Sequence, residues 1–149
     1  MTDPAVTGPA VTDPPVTEAA ARDVVLVVDA ANVVGSRPDG WWGDRAGAAT
    51  RLLGRLAVLV GAAVTTPAGR AVRVERVDVV LEGRARAATD PGVPGIVVHL
   101  ALHDGDSRIV EVAAAAAPRA LVVTADRGLR ARLDGADVAG PGWLLDLLD

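Results

Sequence analysis

The chain contains no cysteine, lysine, phenylalanine or tyrosine, one methionine and two histidines. Without cysteine there are no disulfides and no thiolate metal sites. The two histidines, His99 and His103, fall within five positions of each other. That leaves no spread-out imidazole constellation for zinc. The missing lysine removes the residue a P-loop needs, and no G-x-G-x-x-G follows the first apolar run. A doubly wound domain binding a nucleotide or phosphorylated small molecule therefore lacks its usual signature. A receiver domain, which also gathers acids at a sheet edge, lacks its lysine. No apolar run approaches the roughly 20 residues of a spanning helix. The N-terminus lacks the basic-then-apolar layout of a signal peptide. A soluble, cytoplasmic protein with no membrane partner is the expectation. The net charge of −4 argues against a chain-wide electrostatic grip on nucleic acid. It leaves room for a local basic rim around an acidic site, because a bound divalent cation reverses the local sign.

What is present is an unusual core. Half of the 149 residues are apolar, and valine, leucine and alanine must do nearly all the packing. That length suits one domain. Residues 1–22 repeat DPAVT, GPAVT and DPPVT at a period of five. Proline at this density blocks helix and sheet, and little in the segment offsets the entropy of ordering. We expect a disordered tail over 1–22 and one domain over 23–149.

The domain opens on VVLVVDAAN, Val24 to Asn32. A continuous Val/Leu run reads as a strand buried on both faces, as in the middle of a parallel sheet. Asp29 to Gly43 then reads as an irregular loop, broken by Gly35, Pro38, Asp39-Gly40 and Gly43. Asp44 can cap a helix from Arg45 to about Gly61, with a leucine-rich stripe. Further strands are expected over Val72–Leu81, Ile96–Leu100 and Ala120–Thr124, with a short one over Asp137–Ala139. Between and after them lie a Gly/Pro/Ala loop over Gly83–Gly95 and helices over Ser107–Ala116, Arg127–Leu133 and Gly142–Leu148. Strands alternating with helices imply an α/β fold with a mostly parallel sheet and helices on both faces.

The acids fall where such a sheet puts ligands, at the C-terminal ends of its strands. Asp29 ends the first strand, with the Asn32 amide three residues on. Glu82 ends VDVVLEG, Asp104 and Asp106 stand in HDGD before a helix, and Asp126 follows LVVTA. Each has a structural reading. Asp126 and Asp106 suit helix caps, Asp29 a turn and Glu82 a solvated strand end. Together they form a cluster of like charges, unfavourable unless something neutralises it. Oxygen ligands without cysteine or spaced histidine select a hard cation, Mg²⁺ or Mn²⁺. One or two such ions could activate water and steady the leaving oxygen of a phosphodiester.

Three segments, VVDAANVVG at Val27–Gly35, GDSRIVEVA at Gly105–Ala113 and VVTADRGLR at Val122–Arg130, resemble the NYN family of PIN-like nucleases, in particular its YacP-like branch. The resemblance covers Val24–Leu148. It implies a three-layer, PIN-like α/β sandwich (Rossmann-like) and metal-dependent endoribonuclease activity. By motif match it assigns Asp29, Asp106 and Asp126 as metal ligands and catalytic residues, and Asn32 as the supporting amide. Glu82 falls where relatives often carry an aspartate, which makes it a candidate fourth ligand. Asp104 has no firm counterpart and stands as a further candidate. Ala31 replaces the aromatic that usually precedes the family asparagine.

Around this edge Arg37, Arg45, Arg84, Arg86, Arg127, Arg130 and Arg132 suit a phosphate-facing rim, since the guanidinium fork pairs bidentately with phosphate. Solvated surface charge is the plainer reading of each one. Trp41-Trp42 lies in the first loop, where one indole suits packing and the other stacking on an unpaired base. Trp143 suits core packing. For RNA contact we single out Arg37, Arg84, Arg127, Arg130 and Trp41. The expected function is hydrolysis of single-stranded RNA with Mg²⁺ or Mn²⁺. The alternative is a catalytically inactive RNA- or ribosome-binding module on the same fold. The chain is expected to be a monomer or homodimer.

Overall fold

The computed structural model describes residues 21–38 and 40–149. The tail expected over 1–22 lies outside the described residues up to position 20, and Arg22 already belongs to the first strand. Strand β1 (Arg22–Asp29) is buried from Val24 to its end. Helix α1 (Ala30–Gly35) follows with no intervening loop. Then come α2 (Arg45–Leu56), β2 (Ala63–Thr65), β3 (Ala71–Leu81), β4 (Ile96–Leu100), α3 (Gly105–Ala116), β5 (Ala120–Val123), α4 (Arg127–Ala131), β6 (Asp137–Ala139) and α5 (Pro141–Leu148).

The protein is α/β with a mixed six-stranded sheet. β1 lies in the middle, parallel to β3 on one side and β5 on the other, and β6 extends β5 in parallel. The outer edge of β3 is shared: β2 pairs antiparallel with Ala71–Arg73, and β4 pairs parallel with Val77–Leu81. A mostly parallel sheet was expected, and β2 was not among the expected strands; the sheet is mixed. β2 escapes a sequence reading because a three-residue strand shows too little alternation to stand out. It is placed by the Thr66–Arg70 turn that folds it back on β3.

Two further segments differ from expectation. The loop expected over Asp29–Gly43 contains α1 and a 3₁₀ turn at Trp41–Gly43. The Asp29 carboxylate accepts the Asn32 N–H at 3.3 Å and so caps α1, while Ala30 and Val33 bury the helix against the core. The turn residues act only after Gly35. The loop expected over Gly83–Gly95 opens with a 3₁₀ turn, Gly83–Ala87. Asp44 does cap α2, accepting the Gly47 N–H at 2.9 Å.

Alternate residues of β1 point to opposite faces, as strand geometry requires. Val24, Leu26 and Val28 join one core with α1, the α2 leucines and α5; Val25 and Val27 join the other with Ile109, Val112 and Leu129. β3 feeds the first core through Val72 and Val74, then through Val77, Val79 and Leu81. The parity change is absorbed by a bulge at Glu75, where the β1 partner steps from Val74 to Arg76. One extra residue resets which side chains face inward, so both halves of an 11-residue strand serve one core. Among the described residues no helix is long and apolar enough to cross a membrane.

Candidate acidic site at the sheet edge

Because β1, β3, β4 and β5 run parallel, their C-terminal ends share one edge. Asp29 sits on the last residue of β1, Glu82 just after β3, and Thr124 to Asp126 just after β5. The segment after β4 leads through Asp104 into α3, whose first turn carries Asp106. The topology thus brings the ends of distant segments together.

Asp29 is the most constrained of these acids. It is 5 % exposed. One carboxylate oxygen accepts the Asn32 N–H; the other accepts the Thr124 hydroxyl at 2.8 Å. Both donors are neutral. Burial pushes its pKa up to about 6, the two hydrogen bonds oppose that rise, and the charges of Asp106 and Glu82 add to it. Thr124 is fully buried and in turn accepts the Asp126 N–H at 3.1 Å. The Asn32 side-chain oxygen accepts the Ala125 N–H at 2.8 Å. Asn32 therefore ties the start of α1 to the loop after β5, fixing Asp29 relative to Asp126.

The HDGD segment divides its labour differently from the sequence reading. Asp104, not Asp106, caps α3: it accepts the Ser107 N–H at 2.7 Å and the Ser107 hydroxyl at 3.2 Å. Those bonds hold its carboxyl below the usual range. Asp106 is half-buried and accepts no hydrogen bond among the described residues. Burial raises its pKa, with the charges of Asp126, Glu82 and Asp104 adding, and Arg132 opposing. Gly105 stands between them because Glu82 needs the space. Glu82 accepts the Gly105 N–H at 3.1 Å, and a Cβ there would fall 2.8 Å from the same carboxylate. Asp126 caps α4, accepting the Leu129 N–H at 3.0 Å through one oxygen.

Asp106 thus lies within electrostatic reach of Asp29, Glu82 and Asp126, and Asp29 within reach of Glu82. Among the described residues no three acidic or imidazole groups stand close enough to form a ready-made metal cage. The donor chemistry fits a hard divalent cation. Burial raises the pKa of Asp106 most and the neighbouring carboxylates add to it; a bound cation would relieve both costs.

The arginines separate into three groups. Arg84, Arg127 and Arg130 are exposed, with no side-chain partner among the described residues. Arg37 pairs with Asp149 at 2.9 Å, alongside Arg55. Arg132 reaches the Ser107 hydroxyl at 3.2 Å, and Arg45 lies over the Trp41 ring at 5.4 Å. Trp41 is half-buried, whereas Trp42 is 61 % exposed and meets it edge-on. The exposed indole is therefore Trp42. Trp143 packs against the core and donates its indole N–H to the Thr65 carbonyl at 2.9 Å.

Sequence reasoning passed over Thr124, whose signal was a hydroxyl ending an otherwise apolar strand. It also passed over Gly105, which no local pattern marks, since its reason lies 23 residues away. No family model, curated protein or solved structure matches the chain.

Proposed function

We propose that this protein is a PIN-like, NYN-type ribonuclease that hydrolyses phosphodiester bonds of single-stranded RNA with Mg²⁺ or Mn²⁺. One observation carries the reading. Asp29 is a buried carboxylate held by neutral donors and flanked by further acids, with no cationic side chain paired to it among the described residues. A protein that needed only stability would pair or replace such a group. Two core clusters on opposite faces of the sheet support the three-layer form of the fold.

In this reading Asp29, Asp106 and Asp126 would hold the cation, with Glu82 as a candidate fourth ligand. When bound, the ion supplies Lewis acidity and a nucleophilic hydroxide near neutral pH. Thr124 holds Asp29 in position through its hydroxyl. Asn32 holds the Asp126 loop. Asp104 sets the start of α3 and so the position of Asp106, a structural role in place of the ligand role expected for it. Arg84, Arg127 and Arg130 are free to meet phosphate oxygens.

The test is cleavage of a mixed single-stranded RNA pool with Mn²⁺ and with EDTA, comparing the natural protein with Asp106→Asn. Asp106 makes no hydrogen bond, so the substitution leaves the fold intact. Metal-dependent cutting that disappears in the variant is the expected result. Cutting that survives sinks the site assignment. RNA retention on a filter without cutting, equal in both proteins, favours the inactive RNA- or ribosome-binding module.

A further inference from the structure

Beside the acidic edge lies a cavity of about 310 Å³. We propose that it binds one unpaired nucleobase of the RNA, preferring a base with an exocyclic amino group; the identity of the ligand rests on the ribonuclease reading above. The volume is at the small end of ligand pockets, which suits a single ring system. The walls are mostly apolar: Ala30, Ala31 and Val34 from α1, Ala49 from α2, and the Trp41 indole. A flat indole beside small side chains leaves a slot for a planar ring. Ala31 is exposed and ends at Cβ, so the first turn of α1 does not fill that slot.

The indole is held in place. Trp41 packs toward Gly35, where a Cβ would lie 3.6 Å from the ring, and carries Arg45 over it. Base–aromatic stacking is sequence-tolerant, and a neighbouring guanidinium adds to it. The polar members of the lining are Arg45, Glu82 and His103. One Glu82 oxygen is fixed by the Gly105 N–H, which leaves the carboxylate as an oriented acceptor. A carboxylate accepts from the amino group of cytosine and meets only repulsion from the carbonyl at the same place in uracil. Ala30, in the cavity wall, directly follows Asp29. A base in the slot therefore sets its own backbone beside the acids, which is where cleavage chemistry needs it.

The experiment titrates the full chain, in EDTA, with cytidine 5′-monophosphate, uridine 5′-monophosphate and ribose 5-phosphate. The readout is the indole N–H resonances of the three tryptophans by NMR. The cytidine nucleotide should shift Trp41, the uridine nucleotide should bind more weakly, and ribose 5-phosphate should leave Trp41 unmoved. Ala31→Phe, which fills the slot, and Trp41→Leu, which removes the stacking face, should each weaken cytidine nucleotide binding about tenfold. Ribose 5-phosphate shifting Trp41 equally, or cytidine nucleotide binding unaltered in both cavity variants, overturns the proposal. So does the absence of any cytidine-induced shift. Because no metal or turnover is involved, the two readings fail separately. Base binding lost in Ala31→Phe without RNA cleavage by the natural protein keeps the pocket and removes the nuclease. Cleavage without base binding does the reverse.

Discussion

Among the described residues two carboxylates are buried, Asp78 and Asp29, and they are treated in opposite ways. Asp78, 2 % exposed in the middle of β3, takes a two-pronged contact from Arg76: Nε at 3.0 Å on one oxygen and Nη2 at 3.2 Å on the other. The His99 ring stands 3.4 Å away, with Arg108 on its far nitrogen. Asp29, 5 % exposed at the end of β1, has no such partner. The bulge at Glu75 precedes Asp78 and puts Arg76 two residues before it, on the same face. The chain thus compensates a buried charge where it serves structure. At the strand edge it leaves one uncompensated, which marks the place where a charge from outside is expected.

The sharpest break between the two regions comes from activity. Asp106→Asn should lower metal-dependent RNA cleavage at least about a hundredfold, as expected when a group acting at the reacting centre is lost. Arg76→Met should leave cleavage per folded molecule unchanged. Single-turnover rates with excess enzyme would show both. If Arg76→Met cost as much activity as Asp106→Asn, the two regions would be one functional unit.

Stability should show the opposite order. Arg76→Met strands the Asp78 charge in the sheet and should destabilise the protein by about 3 kcal/mol. Asp106→Asn should be neutral or slightly stabilising, because it removes a carboxylate from a repelling cluster. Urea denaturation at pH 7.5 measures both, and a large loss in Asp106→Asn would mean its carboxylate is structural.

The pH profile refines the contrast. Folding raises the pKa of Asp29 from 3.8 to about 6. Between those values the folded protein keeps a proton that the unfolded chain has lost. Stability therefore falls as pH rises through this window and levels off above about pH 6. The size is about 3 kcal/mol, and Asp106 adds in the same direction. Asp29→Asn should flatten this fall and be more stable than the natural protein at pH 8. The gain should be about 2 kcal/mol, since the amide meets the donor from Asn32 less well. A natural protein whose stability rises from pH 4 to pH 6.5 would contradict the burial of Asp29 as a cost.

The smallest expected effects concern metal and cap. Mn²⁺ should raise the thermal midpoint more at pH 8 than at pH 5, because a ligand must be deprotonated to bind. Asp29→Asn should abolish the difference. Asp104→Ala should lower the midpoint measurably by uncapping α3, and should lower cleavage far less than Asp106→Asn does. Loss of cleavage with no change in midpoint would restore Asp104 to the ligand set.

Much of this was legible in the order of residues. The apolar run Val24–Val28 marked a central strand, and Ile96–Leu100 and Asp137–Ala139 were bounded as found. Asp44 was readable as a cap because an Asp before a leucine stripe has a local reason to be there. What failed locally was α1. Six residues with two glycine-prone breakers nearby look like loop, and only burial of Ala30 and Val33 makes them helix. The cap of α3 is Asp104 where Asp106 was read as one, because a cap depends on where the helix begins, and sequence places that only to within a residue or two.

The residue order by itself determined the alternation of strand and helix, and the burial-averse acids set at strand ends, because side-chain periodicity and solvation act within a few residues. It determined as well that any metal chemistry here proceeds without thiolate ligands. Tertiary structure alone decided which acids face one another, that Thr124 and Asn32 brace Asp29 and the Asp126 loop, and that Gly105 makes room for Glu82. It alone left Asp29 without a cationic partner among the described residues. These contacts join residues up to 95 positions apart. No local propensity encodes them; they follow from the parallel register of β1, β3 and β5, which delivers distant chain segments to a single edge.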